Sequence, residues 1–314
     1  MQRPKITVLG SFVVDLMSKT PHLPVRGETV FGGPFKLGPG GKGSNQGVAA
    51  SKAGADVTMI TKLGRDVFAE VALKSFISAG MKTDYVYQDE KYETGAALIM
   101  VEEGTAENEI VVSVGACNYI TREDIDAAGE DIKKSGILLT QLETNIDAVL
   151  YAVDLASRHG VRVILNPAPV RKIPDELYRK IDILTPNETE AQLLSGIEVK
   201  TVDDAAEAAG VFLNKGVKSV IVTLGRNGVY VKSSEFEGHI PAFGVDNVID
   251  TTGAGDAFNG GLATALAEGR DIKSAAIFGN AVAAISVTRI GTAPAMPYRY
   301  EIDDFLSTHG GCII

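Results

Sequence analysis

Cysteine is scarce in this sequence: its 314 residues hold two, Cys117 and Cys312, far apart in the chain. A disulfide framework is not indicated, so the composition favours a reducing compartment and a cytoplasmic location. Positive charge is in deficit as well, with 30 Lys and Arg against 40 Asp and Glu and a net charge of −10. Phosphate backbones and anionic membrane surfaces need clustered cations, which excludes nucleic acid and membrane as partners. A small phosphorylated ligand stays open, because it needs only a local positive pocket. No apolar run reaches the roughly 18 residues that span a bilayer, and repeats, low-complexity segments and linkers are missing. Residues 1–5 run straight into an apolar segment at 6–9 without a leader pattern, and Cys312 is third from the end where prenylation wants the fourth. Neither a secretory leader nor a lipid anchor is therefore expected. Asn187-Glu188-Thr189 fits the glycosylation sequon, which a cytoplasmic chain leaves unused.

What is present is an ordinary core-forming composition, 45% hydrophobic and 22% charged, spread over one catalytic domain covering 1–314. Strand-like runs at 6–9, 57–63, 136–142, 161–166, 181–185 and 219–223 alternate with helix-like runs. The helix-like runs fall at 44–53, 67–79, 146–159, 188–195, 202–215, 254–268 and 272–287. That alternation implies an α/β fold, a mostly parallel central sheet sandwiched by helices, with ligands beyond the carboxyl ends of the strands. Strand-like runs without intervening helices, at 12–18, 29–37 and 94–114, with a hairpin around Glu102-Glu103-Gly104, imply a small second sheet formed by about 11–39 and 93–116. It is read as a lid over the site, the alternative being a β-appendage that packs or oligomerises.

Near the C-terminus, Asp250-Thr251-Thr252-Gly253-Ala254-Gly255-Asp256 follows a strand-like 245–249 and opens an apolar helix. Gly253, Ala254 and Gly255 leave backbone N–H groups uncovered at a helix N-terminus, a place suited to an anion. Asp256 in the first turn can take a proton from a hydroxyl attacking a phosphoryl group, and the bare amides can stabilise the charge that spreads during transfer. An ordinary capped helix is the plainer alternative.

Gly38-Pro39-Gly40-Gly41-Lys42-Gly43-Ser44-Asn45 precedes another helix. It fits the dinucleotide pattern G-x-G-x-x-G, fails the Walker A pattern because Gly43 follows Lys42, and also reads as a sugar site served by Lys42 and Asn45. A plain tight turn is the remaining reading. Asp15, after an apolar strand, can accept two sugar hydroxyls or be a solvated strand end. Glu143 sits at a strand's carboxyl end. Asn187 and Glu190 can hold Mg²⁺ through water, or simply cap a helix, or both. The loop 223–228 is either a nucleotide-approaching turn or a hairpin.

G-G-K-G-S-N at 40–45, Q-L-E at 141–143, N-P-A-P at 166–169, T-P-N-E-T-E at 185–190, T-L-G at 223–225 and D-T-T-G-A-G-D at 250–256 occur together in this order. In this the chain resembles the ribokinase-like (phosphofructokinase-B type) carbohydrate kinases over nearly its whole length. The resemblance implies an ATP-dependent kinase of the 5-hydroxyl of ribose, or of deoxyribose or another pentose, with a sugar sensor without catalysis as the contrasting class. It implies Asp256 as base and residues 253–255 as anion hole. The sugar residues would be Val13, Asp15, Gly41, Lys42, Gly43, Asn45 and Glu143. Asn187, Thr223, Leu224, Gly225, Arg226, Asn227, Gly228, Gly255 and Asn280 would face ATP, with Glu190 near Mg²⁺. A monovalent cation, usually K⁺, would bind at Asp250, Thr252, Ser286, Arg289 and Gly291, and the β-lid would join a homodimer. Two departures stand out. Val13 occupies a place often held by Asn, and Ala295 one often held by a hydroxyl residue.

Overall fold

Thirteen strands make two sheets in a computed structural model that describes residues 3–105 and 107–309. The expectations for Met1 and Cys312 lie outside the described residues. The strands are β1 (Lys5–Leu9), β2 (Val13–Thr20), β3 (Phe35–Gly40), β4 (Asp56–Gly64), β5 (Lys82–Asp89), β6 (Thr94–Glu102) and β7 (Asn108–Gly115). They continue with β8 (Ile137–Thr140), β9 (Arg162–Leu165), β10 (Ile183–Leu184), β11 (Ser219–Thr223), β12 (Val229–Lys232) and β13 (Glu237–Ile240).

The main sheet runs β13-β12-β11-β10-β9-β8-β1-β4-β5. Its pairs from β11 to β5 are parallel, and β12 and β13 extend one edge antiparallel. Period-two alternation divides the core between the faces: Ile6, Val8, Ile137 and Leu139 point one way, Leu9 and Leu138 the other. The helices Lys42–Lys52, Ala254–Ala267 and Ile272–Ser286 cover the first face, and Ile146–Arg158 and Val202–Asn214 the second. Both faces are dry, which is why the strands read as apolar runs.

The smaller sheet has the order β3-β2-β6-β7, parallel only between β2 and β6. The strand-like reading of 29–37 contracts to the strand Phe35–Gly40, because Gly33 crosses over as a loop whose N–H donates to the Lys19 carbonyl (2.7 Å). Gly38 and Gly40 consequently lie in a strand, and the next helix begins at Lys42, two residues earlier than its apolar pattern suggests. The strand-like run 245–249 forms no strand. The Ile249 and Asp250 N–H groups both donate to the Val287 carbonyl (2.8 and 3.2 Å), so the segment is pinned to a helix end, with Val248 and Ile249 exposed.

Candidate active site

Two close backbone approaches assemble the site. A Cβ on Gly43 would stand 2.5 Å from the Gly10 Cα, so the helix Lys42–Lys52 starts directly against the end of β1. A Cβ on Gly260 would stand 2.7 Å from the Gln46 carbonyl oxygen, so the helix Ala254–Ala267 lies on the same helix almost backbone to backbone. That proximity lets two short amide side chains reach Asp256. Asn45 Nδ2 donates to Asp256 Oδ2 and Gln46 Nε2 to Asp256 Oδ1, each at 3.0 Å. Across the β1 end, Glu143 Oε2 accepts from the Lys42 N–H (2.9 Å) and the Ser11 hydroxyl (2.5 Å). Asp15 on β2 turns its carboxylate onto the Gly40 Cα, in space that any side chain at residue 40 would fill.

The charges are mutually perturbed. Burial, followed by the Glu143 and Asp256 carboxylates, pushes Asp15 up to about 6. Burial also pushes Asp256 up, opposed by the Lys42 ammonium and the two amide donors. Burial alone would lower Lys42, but the Asp256, Glu143 and Glu190 carboxylates outweigh it and hold the ammonium above its ordinary value. One cation thus faces several acids in a partly desolvated space, where charge pairs act more strongly than in water.

The helix mouth is open. Gly253, at φ 77° in the left-handed region, is the cap residue and makes no side-chain cap. The Gly255 and Asp256 N–H groups find no backbone acceptor among the described residues, and a Cβ on Gly255 would meet nothing within 4 Å. These amides border a cavity of about 170 Å³ lined by Lys42, Asn166, Ala168, Thr185, Asn187, Glu190, Thr223, Thr251, Gly253, Ala254, Gly255, Asp256 and Asn259. Asn187 and Glu190 do form a reciprocal capping box, with Glu190 N donating to Asn187 Oδ1 (2.8 Å) and Asn187 N to Glu190 Oε2 (2.9 Å). Capping and cavity lining are both true of this pair.

Three groups of sequence-selected residues lie around this centre. Val13, Asp15, Gly41, Lys42, Gly43, Asn45 and Glu143 converge where the small sheet joins the main one, with Gly41 against the Val13 N–H. Thr223 borders the cavity, whereas Leu224, Gly225, Arg226, Asn227 and Gly228 continue past it as the hairpin turn between β11 and β12. Gly228 packs on the backbone at 240–242, and Asn280 Nδ2 donates to the Pro241 carbonyl (3.2 Å), so these two neighbour each other away from Asp256. Asp250 accepts from the Thr252 and Gly291 N–H groups (2.9 Å each), which gathers the proposed cation residues. In the same region Ser286 donates to the Ala283 carbonyl, and Arg289 turns its guanidinium to Glu301 (2.5 Å). Among the described residues no group of three or more His, Cys, Asp or Glu side chains is placed to hold a metal.

Sequence reasoning passed over several residues here. Gln46, Gln141, Asn166 and Asn259 are buried and hydrogen-bonded around Asp256, and Ser11 and Thr292 are buried beside residues 42–43 and Gly253 respectively. The only signal was indirect: Gln141 and Asn166 fall inside short motifs at strand ends, and Asn259 one turn beyond Asp256.

A helix mouth with uncovered amides and a carboxylate beside it, opening at the carboxyl ends of parallel strands, suits the transfer of a phosphoryl group to a hydroxyl, and the class is that of small-molecule kinases. Comparison with known proteins narrows it. The pfkB family carbohydrate kinase pattern matches residues 3–299. Ribokinase of Haemophilus influenzae is 41% identical over 97% of this chain and 99% of its own length. Deoxyribokinase of Salmonella typhi is 40% identical over 96% of this chain and 98% of its own. The structure of Arabidopsis thaliana ribokinase complexed with ribose and ATP superposes with a TM-score of 0.90 at 30% identity, covering 98% of this chain and 99% of that one. The chain belongs to the pfkB family of carbohydrate kinases, and it is an ATP-dependent sugar phosphotransferase.

Proposed function

We propose that this kinase phosphorylates the 5-hydroxyl of ribose, giving ribose 5-phosphate and ADP, with Asp256 as the base. The observation that carries the reading is the seat of Asp256: buried, held by two amide donors, and bordering the cavity beside the uncovered Gly255 N–H. Asp15, Asn45 and Glu143 hold the sugar hydroxyls. Asp256 takes the proton of the 5-hydroxyl as its oxygen bonds to the γ-phosphorus and the bond to the ADP oxygen breaks. The free amides of Gly253 and Gly255 and the Lys42 ammonium stabilise the charge on the moving group, while the Ala254 N–H, expected to be uncovered, donates to the Thr251 carbonyl (3.2 Å). Asn187, Thr223 and the residues 224–228, with Asn280, form the nucleotide side.

Mg²⁺ bound with ATP would neutralise phosphate charge. Glu190 suits a water-mediated contact to it, since its carboxylate borders the cavity beside Asp256. The loop pair drawn together by the Asp250 carboxylate suits a K⁺ ion held by backbone oxygens of Thr252, Ser286, Arg289 and Gly291. The small sheet serves as the lid, and the protein works in the cytoplasm. Among the described residues no helix is long and apolar enough to cross a membrane.

Deoxyribose is the second reading. Val13 shares a face of β2 with Asp15 and offers a hydroxyl no hydrogen bond. ADP release measured on ribose and 2-deoxyribose, with and without K⁺, decides between them: higher kcat/KM on ribose is expected, and the reverse preference overturns it. Asp256→Asn is expected to lose about 10³-fold or more in kcat while still binding sugar by calorimetry. Normal turnover in that variant removes Asp256 as base.

A further inference from the structure

Gln46 is fully buried and its amide is bonded only to other buried side chains, so it has no group free for a sugar or nucleotide. Its amide is nevertheless completely used. Nε2 donates to Asp256 Oδ1 and to Asn166 Oδ1 (3.0 Å each), and Oε1 accepts from Gln141 Nε2 (2.7 Å). The direction of this chain is set at its far end. Asn166 Nδ2 donates to the Thr185 carbonyl (2.9 Å), and a carbonyl can only accept. Asn166 must therefore turn its own oxygen toward Gln46, Gln46 must answer with nitrogen, and its second N–H is left aimed at Asp256. A parallel branch grips the anion turn: Thr185 Oγ1 donates to Asn259 Oδ1 (2.6 Å), and Asn259 Nδ2 to the Gly255 carbonyl (2.8 Å). Base and cradle thus hang from the ends of β8, β9 and β10 through one set of buried amides.

We infer that Gln46 is a positioning residue, which holds Asp256 as an aligned, ionised carboxylate by presenting it with a donor whose polarity the buried amide chain enforces. The inference rests on Asp256 being the base. The surrounding charges are Lys42 on the same helix, Asp15 on β2, Glu143 after β8 and Glu190 at the start of its helix; three of these four are acids. A protonated Asp256 would need an acceptor, and neither amide as oriented supplies one, so the carboxylate is the matched form.

The test is the pH profile of kcat, which reports groups in the complex with substrate and so avoids the titration of free Asp15. Gln46→Met removes the donors at similar volume. Gln46→Glu keeps the shape, and covers the case in which the Met variant does not fold, but it cannot donate to both neighbours. For either folded variant kcat is expected to fall about 10²-fold, with sugar KM changed less than about threefold, and the acid limb is expected to move to higher pH. A lower kcat with an unmoved acid limb overturns the inference, since mere loosening does that, and so does an unchanged kcat. Asp256→Asn measured alongside separates the two levels. If it keeps normal turnover, the base assignment has failed; if it is dead and the Gln46 limb stays put, only the positioning role has.

Discussion

Asp15, with its carboxyl pushed up to about 6 by burial and by Glu143 and Asp256, is expected to make sugar binding depend on pH if it holds the sugar as proposed. Above about 6 the free protein offers a carboxylate with lone pairs for two hydroxyls; below it the group is protonated and loses that capacity. Sugar affinity measured by calorimetry is expected to be level near pH 8 and to weaken as pH falls through 6, approaching tenfold per unit once proton uptake competes fully. Asp15→Asn is expected to bind weakly and to flatten this dependence; an unchanged slope would assign the titration elsewhere. Asp15, Lys42 and Asp256 were legible in the sequence because a charged side chain at the end of an apolar run, or beside a glycine cluster that opens a helix, is already a chemical statement. Gln46 was not, because a glutamine inside a helix looks the same whether it faces water or a buried carboxylate. Its three hydrogen-bond partners lie 95, 120 and 210 positions away, which no local pattern encodes.

At the scale of elements, two glycines of the same motifs do different work. Gly43 lies where a Cβ would run into the Gly10 backbone, with nothing flexible to give way. Gly43→Ala is expected to push the helix Lys42–Lys52 off β1, costing roughly 1–3 kcal/mol in denaturant unfolding and lowering kcat as Asn45 and Gln46 shift from Asp256. Gly255 borders only open cavity, so Gly255→Ala is expected to unfold within about 0.5 kcal/mol of the parent yet to lose kcat, since the methyl enters the space for the phosphoryl group. If both variants lose stability equally, the distinction fails. Helix and strand types were readable from apolar periodicity, and the capping signal at Asn187 and Glu190 appears where the sequence indicates it. The run 245–249 misled because its Val and Ile residues favour extended backbone, while a strand also needs a free edge beside it, and here the partner is the Val287 carbonyl.

For the whole molecule, the small sheet bears on assembly. Its edge strand β7 is bare on both faces, with Ile110, Val111 and Val112 exposed in succession and Leu98 of β6 beside them. Contiguous exposed apolar surface on an edge strand marks a contact surface. A homodimer joined through this sheet is expected by light scattering after size exclusion. Val111→Asp is expected to shift it to monomer and to raise sugar KM by loosening the lid. A parent that stays monomeric at every concentration overturns the homodimer.

Sequence alone determined the α/β class, the parallel sheet and the kinase chemistry, and it singled out most of the charged residues proposed for the site, because each rests on local pattern. Tertiary structure decided which of them meet. Gly43 against Gly10 and Gly260 against Gln46 set two helices in contact, and from that contact follow the grip on Asp256, the polarity of the buried amides and the uncovered Gly255 N–H. The physical reason is that hydrogen-bond direction and backbone approach belong to pairs of distant residues, and a single stretch of chain carries only half of each pair.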